Sequence, residues 1–253
     1  MISNLIFTFA VRKIYNFSYN NPTMLEILYQ DDNIVAINKP HGLLVHQSPI
    51  ARDAEEFALQ LLRNQLKKAV YPSHRLDRKT SGVLLFALDK ATDSIMQQKF
   101  QNREVEKKYL ALVRGFAPEQ MTIDYALKND NEILQDAVTH FKTLEYFEID
   151  VPFGKHPTSR YSLVEATPET GRMHQLRKHF AHIFHPIIGD RPHGCNKQNK
   201  FWLEKFQMNK MLLHASELSF EHPYSNEPIA IKATISEEFQ RVLDILRNKI
   251  IPS

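Results

Sequence analysis

The stretch His74–Gly82, with the sequence HRLDRKTSG, holds the residues whose types and spacing best suit chemistry. Asp77 lies between Arg75 and Arg78, in a polar loop directly before the apolar run Val83–Leu88. Nearby cations favour the ionised form of a carboxyl group, so we expect Asp77 to be charged and able to act as a nucleophile or a base. The same pattern fits a turn aspartate held by salt bridges, and the residues alone leave both interpretations open.

Four histidines, at positions 174, 179, 182 and 185, form a second group with chemical potential, and they raise the alternative of a metalloenzyme. The spacing of five between His174 and His179 turns the second imidazole away from the first on a helix. His182 and His185 could share a face, but two ligands do not make a site. No HExxH motif is present and no acidic residue lies among the four histidines, so we predict no metal.

The glycines and the cysteine argue against cofactor chemistry. The seven glycines match neither GxGxxG nor GxxxxGK(S/T), the loops that cradle the phosphates of nucleotides, so we expect no nucleotide cofactor. A single cysteine, Cys195, excludes an internal disulfide framework and a cysteine-rich zinc site.

Basic residues are concentrated in two parts of a chain whose net charge is only +3. Residues 155–200 contain eight Lys or Arg and three acidic residues, and residues 99–114 contain five and two. Such local excess fits a polyanion bound at one face, and it also fits two solvated surfaces.

The stretch HRLDRKTSG resembles the signature of the RluA-type pseudouridine synthases. Other segments match this family in its order: Asn38–His46 (NKPHGLLVH), Glu106–Gly115 (EKKYLALVRG), Thr170–Arg177 (TGRMHQLR) and His185–Asp190 (HPIIGD). The resemblance extends from about Leu25 to Thr234, and several motifs in one order are far more specific than any one of them.

The resemblance implies a role for individual residues of the site. Asp77 matches the family's catalytic nucleophile, and Arg177 matches the arginine that pairs with it. Tyr109 matches the tyrosine that stacks on the target uracil, and Leu176 occupies the position of an apolar residue beside the base. Arg75 is placed to enter the RNA where the uridine leaves the helix, and a phosphate contact is its alternative role.

The implied activity is the isomerisation of a uridine to pseudouridine in structured RNA, without a cofactor. Three features resemble members that modify uridine 65 of tRNA: the start at Met24 without an S4-type RNA-binding domain, Pro157–Tyr161, and Arg191–Gly194. Lys79 stands where many relatives carry Asp, which bears on the subfamily. Ribosomal RNA, another tRNA position, and an inactive RNA-binding protein or tRNA chaperone are the alternatives.

The RNA backbone needs cationic contacts around such a site. The basic residues that we expect to supply them are Lys39, Lys107, Lys108, Arg172 and Lys178.

Strands and helices alternate along the chain without a strict β-α-β order, which indicates an α+β fold. We predict a mixed, mostly antiparallel central sheet with flanking helices and an active-site cleft. Strands are expected at about Leu25–Tyr29, Ile34–Asn38, Val83–Leu88, Val105–Val113, Tyr161–Ala166, His214–Phe220 and Ile229–Thr234. Helices are expected at about Asp53–Lys68, Ala91–Gln101 and Glu237–Arg247, with another that begins at Gly171.

The chain has 253 residues, of which 43% are hydrophobic and 24% charged, as in an ordinary folded protein. We interpret residues 1–23 as an N-terminal extension outside the fold, with Met24 as the physiological start, and residues 24–250 as one catalytic domain. No apolar run has the length of a membrane span. The expected protein is a cytoplasmic monomer with RNA, favoured as tRNA, as its partner.

Overall fold

The structure, a computed structural model, describes residues 24–46 and 56–249. The N-terminal extension predicted for residues 1–23 lies outside these residues, as does the predicted start of the first helix near Asp53. Within the described part of the chain, no helix combines the length and the apolar character that crossing a membrane requires.

The described residues form twelve strands and five helices. The strands are β1 (Ile27–Gln30), β2 (Ile34–Lys39), β3 (Tyr71–Pro72), β4 (Ser81–Ala87), β5 (Glu106–Arg114), β6 (Gln120–Asp124), β7 (Leu127–Lys128), β8 (Leu134–Gln135), β9 (Val138–Ile149), β10 (Ser159–Pro168), β11 (Leu213–Glu221) and β12 (Pro228–Lys232). The helices are α1 (Ala58–Leu66), α2 (Lys90–Gln101), α3 (Gln175–His182), α4 (Asn196–Phe206) and α5 (Glu237–Asn248).

Ten of these strands form one sheet with the order β1-β2-β4-β11-β5-β10-β9-β6, in which β3 also pairs with β4 and β12 with β11. The β4–β11 pair is parallel. The other pairings recorded for the described strands are antiparallel. The predicted α+β fold with a mixed, mostly antiparallel sheet is therefore confirmed.

Strand β5 lies near the middle of the sheet and separates two cores. Tyr109 and Ala111 pack in a cluster with Phe180 of α3 on one face. Leu112 packs in a cluster with Trp202 of α4 on the other. Successive side chains of a strand point to opposite faces, which explains this division, and the strand predicted at Val105–Val113 is confirmed.

Strand β4 is buried along its whole length and carries the loop that contains Asp77 into the centre of the sheet. Gly82 has a φ of 109°, which a residue with a side chain rarely adopts. A Cβ atom at Gly82 would lie 2.1 Å from the carbonyl oxygen of Ala215 in β11. Glycine at this position lets β4 and β11 approach closely, which fixes the loop against β11.

Helix α3 begins at Gln175, four residues later than the predicted start at Gly171. The Gln175 side chain forms a turn before the helix: its Oε1 accepts hydrogen bonds from the Thr170 hydroxyl at 2.6 Å and from the Arg172 N–H at 3.0 Å. His174 has a φ of 56°, in the left-handed region. Residues 170–174 therefore form a turn that places the His174 side chain near Asp77.

Candidate active site

The loop of Asp77 is held by backbone hydrogen bonds to the segment that follows β2. The Thr80 N–H donates to the Asp77 carbonyl at 3.0 Å, which closes a tight turn around the acid. The Gly42 N–H donates to the Arg78 carbonyl at 2.8 Å, and the Arg78 Nε donates to the Gly42 carbonyl at 3.1 Å. The loop of the NKPHGLLVH motif and the loop of the HRLDRKTSG motif thus hold each other in place.

Lys39 joins the same two loops from inside the protein. Its side chain is fully buried, and its ammonium group donates hydrogen bonds to the carbonyl oxygens of Pro40, Leu43 and Arg78 at 2.8–3.2 Å. Burial lowers the pKa of Lys39 to about 7, although the charge of Asp77 acts in the opposite direction. This placement does not fit the contact with RNA predicted for Lys39, because an internal ammonium group cannot reach a phosphate.

Asp77 and Arg177, 100 residues apart in the chain, meet in a direct ion pair. The Arg177 NH1 group donates to Oδ2 of Asp77 at 2.9 Å. The Arg177 side chain is 6% exposed and that of Asp77 is 27% exposed, so solvent reaches the carboxylate and not the cation behind it. The buried guanidinium thus places a positive charge directly against the carboxylate group, which is the kind of group that a nucleophile or a base requires.

Arg177 is held in turn by Asp190, a residue to which the sequence assigned no role. The Arg177 Nε and NH2 groups donate to the two carboxylate oxygens of Asp190 at 2.9 and 2.8 Å, and Asp190 is 1% exposed. Burial lowers the pKa of Arg177, but the hydrogen bonds and charges of Asp190 and Asp77 outweigh burial and raise it. Asp190 ends the HPIIGD motif, which was the available signal.

Tyr109 and Leu176 form the apolar side of the site. Leu176 is a buried member of the core cluster against which Tyr109 packs. Burial, and then the negative charge of Asp77, raise the pKa of the Tyr109 phenol above its ordinary value of about 10. A phenol that stays neutral at pH 7 is a poor proton acceptor. Its flat aromatic ring is a suitable surface on which a nucleobase can stack.

His174, which the sequence did not place at the site, lies beside Asp77 and contacts a second histidine, His193. Nε2 of His174 is 3.8 Å from Oδ2 of Asp77, and Nδ1 of His174 is 2.9 Å from Nε2 of His193. His174 belongs to the TGRMHQLR motif and is one of the four histidines of the metal alternative.

The four histidines of the metal alternative are engaged separately. His174 contacts His193, and His179 contacts the Thr139 hydroxyl and the Tyr125 carbonyl. His182 stacks on the Tyr125 ring, and His185 contacts the Arg114 carbonyl. Across the described residues, no group of three or more His, Cys, Asp or Glu side chains is arranged to hold a metal ion.

The predicted RNA contacts differ in their positions. Arg75 is exposed, and its guanidinium makes no hydrogen bond or ion pair to the described residues. The Arg172 Nε donates to the Asp136 carbonyl at 3.0 Å, and the Lys178 ammonium donates to the Lys128 carbonyl at 3.2 Å. These three side chains lie at least partly at the surface, around the loop of Asp77 and the start of α3.

Lys107 and Lys108 lie on opposite faces of β5. Lys107 shares the face of Tyr109, and its ammonium donates to the Thr170 carbonyl at 3.2 Å. Lys108 lies on the other face and forms an ion pair with Glu217 at 3.0 Å. Lys107 is thus suited to an RNA contact at the site, whereas the position of Lys108 does not fit the contact predicted for it.

Comparisons with known proteins show the family to which this chain is similar. A family model described as RNA pseudouridylate synthase matches residues 33–182. Proteins named tRNA pseudouridine synthase C from Vibrio parahaemolyticus and Haemophilus influenzae are 45% and 42% identical to this chain over 87% of its length, which covers 94% and 97% of theirs.

Solved structures show the same fold. The human RNA pseudouridylate synthase domain containing 4 is 26% identical, with a TM-score of 0.67 over 88% of this chain and 93% of its own. The human RNA pseudouridylate synthase domain containing 1 has a TM-score of 0.68 over 94% of this chain and 100% of its own; at 23% identity this likeness concerns the fold alone.

Proposed function

This chain belongs to the RNA pseudouridylate synthase family, and from that membership we propose that it converts uridine 65 of tRNA to pseudouridine with Asp77 as the nucleophile. The observation that carries the role of Asp77 is its ion pair with Arg177: a solvent-accessible carboxylate is held 2.9 Å from a buried cation. As a member of this family, the chain is an RNA pseudouridine synthase, and the reaction of such an enzyme is an isomerisation.

The chemistry requires little beyond this carboxylate. The N1–C1′ bond of uridine breaks, the uracil turns, and a C5–C1′ bond forms; C5 loses a proton and N1 gains one. Atoms and electrons balance without an oxidant, a reductant or a second substrate. An anionic carboxylate next to C1′ or C6 is the minimum equipment, and Asp77 supplies it.

The apolar residues hold the base while it is detached. Tyr109 presents a neutral aromatic ring on which the uracil can stack, and Leu176 borders the same cluster. Stacking retains the base during its rotation without binding one orientation of it tightly, which suits a reaction in which the base must turn in place.

A uridine in an RNA stem must leave the helix before Asp77 can reach it. Extrusion of a nucleotide costs a few kcal/mol, and a side chain that fills the gap offsets part of this cost. Arg75 is two residues from Asp77 and exposed, so it suits this insertion, and a phosphate contact is its alternative role.

The choice of tRNA rests on the relatives named tRNA pseudouridine synthase C. The choice of position 65 rests on the likeness at Pro157–Tyr161 and Arg191–Gly194. One chain supplies Asp77 and Arg177 together, which fits a monomer. A tRNA substrate and a single cysteine fit the cytoplasm.

Pseudouridine mapping tests this proposal. Unmodified total tRNA and rRNA are treated with wild-type protein or with Asp77→Asn, labelled with carbodiimide and read by primer extension. The proposal predicts a stop at tRNA position 65 with the wild type alone. A stop at another position would keep the reaction and overturn the substrate, and the absence of stops would favour an inactive RNA-binding protein.

A further inference from the structure

The histidine pair beside Asp77 has no part in the reaction as described so far. His174 and His193 are joined at 2.9 Å through Nδ1 and Nε2. The second nitrogen of His174, Nε2, faces Oδ2 of Asp77 at 3.8 Å. The His174 side chain is 29% exposed, close to the 27% of Asp77, so a substrate that reaches one of them can reach the other.

The backbone of His174 is arranged to present this side chain. His174 precedes α3 with a φ of 56°, a strained region for a residue other than glycine. Its imidazole makes no capping hydrogen bond to the helix, and the Gln175 side chain closes the turn instead. The ring is therefore not used to start the helix, and it lies between Asp77 and His193.

The contact between the rings links their tautomers, because a single proton lies between Nδ1 of His174 and Nε2 of His193. If His193 donates this proton, a neutral His174 carries its own proton on Nε2, facing the Asp77 carboxylate. In the reverse arrangement, a lone pair on Nε2 faces the negative charge. The charge of Asp77 thus favours the tautomer with a proton on Nε2.

The surroundings of both imidazoles favour their neutral forms. Burial lowers the pKa of His174. The positive charges of Arg177 and Lys178 lower it further, and the negative charges of Asp77 and Asp190 act in the opposite direction. Burial also lowers the pKa of His193. The distance of 3.8 Å is too long for a hydrogen bond to Asp77, so the Nε2–H of His174 is available to another acceptor.

We propose that the Nε2–H of His174 donates a hydrogen bond to the O2 carbonyl oxygen of the target uracil, and that His193 is a positioning residue that selects the required tautomer. This role rests on the proposed function. O2 is attached to the carbon next to N1, so a donor close to the carboxylate that acts at C1′ or C6 can reach it. When the N1–C1′ bond breaks, its electron pair passes to the uracil and is shared by N1, O2 and O4, which strengthens this hydrogen bond.

Replacement of one substrate atom tests the contact. Synthetic tRNA with uridine or 2-thiouridine at the modified position is converted in single-turnover reactions by wild-type protein, His174→Leu and His174→Gln. Sulfur is a weak acceptor, so we expect it to slow the wild type about tenfold. The His174→Leu variant is expected to convert the uridine RNA more slowly than the wild type by about the same factor and to bind it with unchanged Kd. Its rate is expected to fall little further when the RNA carries 2-thiouridine.

His174→Gln keeps an N–H donor near the position of Nε2 and is expected to restore most of the rate. His156→Leu, a change at an exposed histidine between β9 and β10, is the matched control with wild-type rates. If sulfur slows wild type and His174→Leu by the same factor, the contact with O2 is wrong while the proposed function stands. Absence of product from the uridine RNA with wild type would overturn the proposed function, and with it this role.

The tautomer can be measured without activity. Long-range ¹H–¹⁵N correlation spectra of the protein at pH 7.5 are expected to show His174 with its proton on Nε2. His193→Gln, which retains a donor to Nδ1, is expected to keep this tautomer, whereas His193→Leu is expected to give a mixture. A wild-type His174 with its proton on Nδ1 would overturn the role of His193.

Discussion

At the scale of single residues, the site depends on one arginine that binds two carboxylates. Arg177 uses Nε and NH2 for Asp190 and NH1 for Asp77, so its planar guanidinium is fixed on the buried side while one edge faces Asp77. On the buried side of the guanidinium, Asp190 is the carboxylate that balances its charge. The position of Arg177 against Asp77 therefore depends on Asp190.

Removal of Asp190 is therefore expected to be costly. Asp190→Ala leaves the buried side of Arg177 without its carboxylate, and we expect a loss of about 3 kcal/mol in the free energy of unfolding, measured with urea. Single-turnover conversion should fall about a hundredfold or more, because Arg177 no longer holds its position. Glu204→Ala, which breaks an exposed ion pair with Lys200, is the control and should cost less than about 1 kcal/mol. Wild-type stability and rate for Asp190→Ala would contradict this account.

Lys39 gives the stability of the protein a particular dependence on pH. Its pKa is about 7 in the folded protein and 10.5 in a solvated chain, so between these values the unfolded state binds more protons. The free energy of unfolding must then rise with pH across this window. From pH 7 to pH 9 we expect a contribution of about 2 kcal/mol, which Lys39→Met should remove. An identical pH slope in the variant would show that Lys39 titrates normally.

At the scale of elements, the close approach of β4 and β11 places the loop of Asp77. Gly82→Ala would put a Cβ 2.1 Å from the Ala215 carbonyl and impose a φ of 109° on alanine. We expect a loss of about 3 kcal/mol or more in the free energy of unfolding, since the obstacle is backbone that cannot move aside. Gly171→Ala is the matched control: nothing lies within 4 Å of its Cβ position, and a change below about 1 kcal/mol is expected. Equal stabilities would contradict the role of the close approach.

The sequence was most informative where its pattern was simple. The strands β4 and β5 and the helix α5 were predicted, because each has one uninterrupted apolar pattern. Strand β9 was not predicted, since the exposed Leu144 and Tyr146 hide its alternation. Helix α4 was not predicted either, because the polar Gln198 is one of its buried residues.

The site shows the same division. The pair of Asp77 and Arg177 followed from the family resemblance and could not follow from spacing, since 100 residues separate them. The contacts of Asp190 and His193 depend on how the chain turns after α3, which no local pattern encodes. The buried position of Lys39 was not predicted, because it depends on three backbone carbonyl oxygens that accept hydrogen bonds from its ammonium group.

At the scale of the whole molecule, we expect the basic residues on the face that carries the site to contact the RNA, and those on the opposite face not to. The alternation of β5 separates Lys107, on the face of Tyr109, from Lys108, which pairs with Glu217 on the opposite face. These two adjacent lysines of one strand thus provide a comparison in which the residue type and the side-chain length are the same and only the face of the sheet differs.

We expect Lys107→Ala to weaken tRNA binding and to reduce the slope of log Kd against log salt concentration by about 0.7 to 0.9, the value for one phosphate contact. Lys108→Ala should change neither quantity. Titrations of labelled tRNA at several salt concentrations, with Asp77→Asn in the background to prevent turnover, measure both. Equal slopes for the two variants would place the RNA on a different surface.

The central claim is that Asp77 drives an isomerisation in which C5 of uridine loses its hydrogen. The most direct measurement is the release of tritium to water from tRNA labelled with [5-³H]uridine, with wild-type protein and Asp77→Asn compared at saturating enzyme. We expect release of one tritium per modified tRNA with the wild type and none above background with Asp77→Asn, although both bind the RNA with similar Kd. Substantial release by Asp77→Asn would contradict the assignment of the nucleophile.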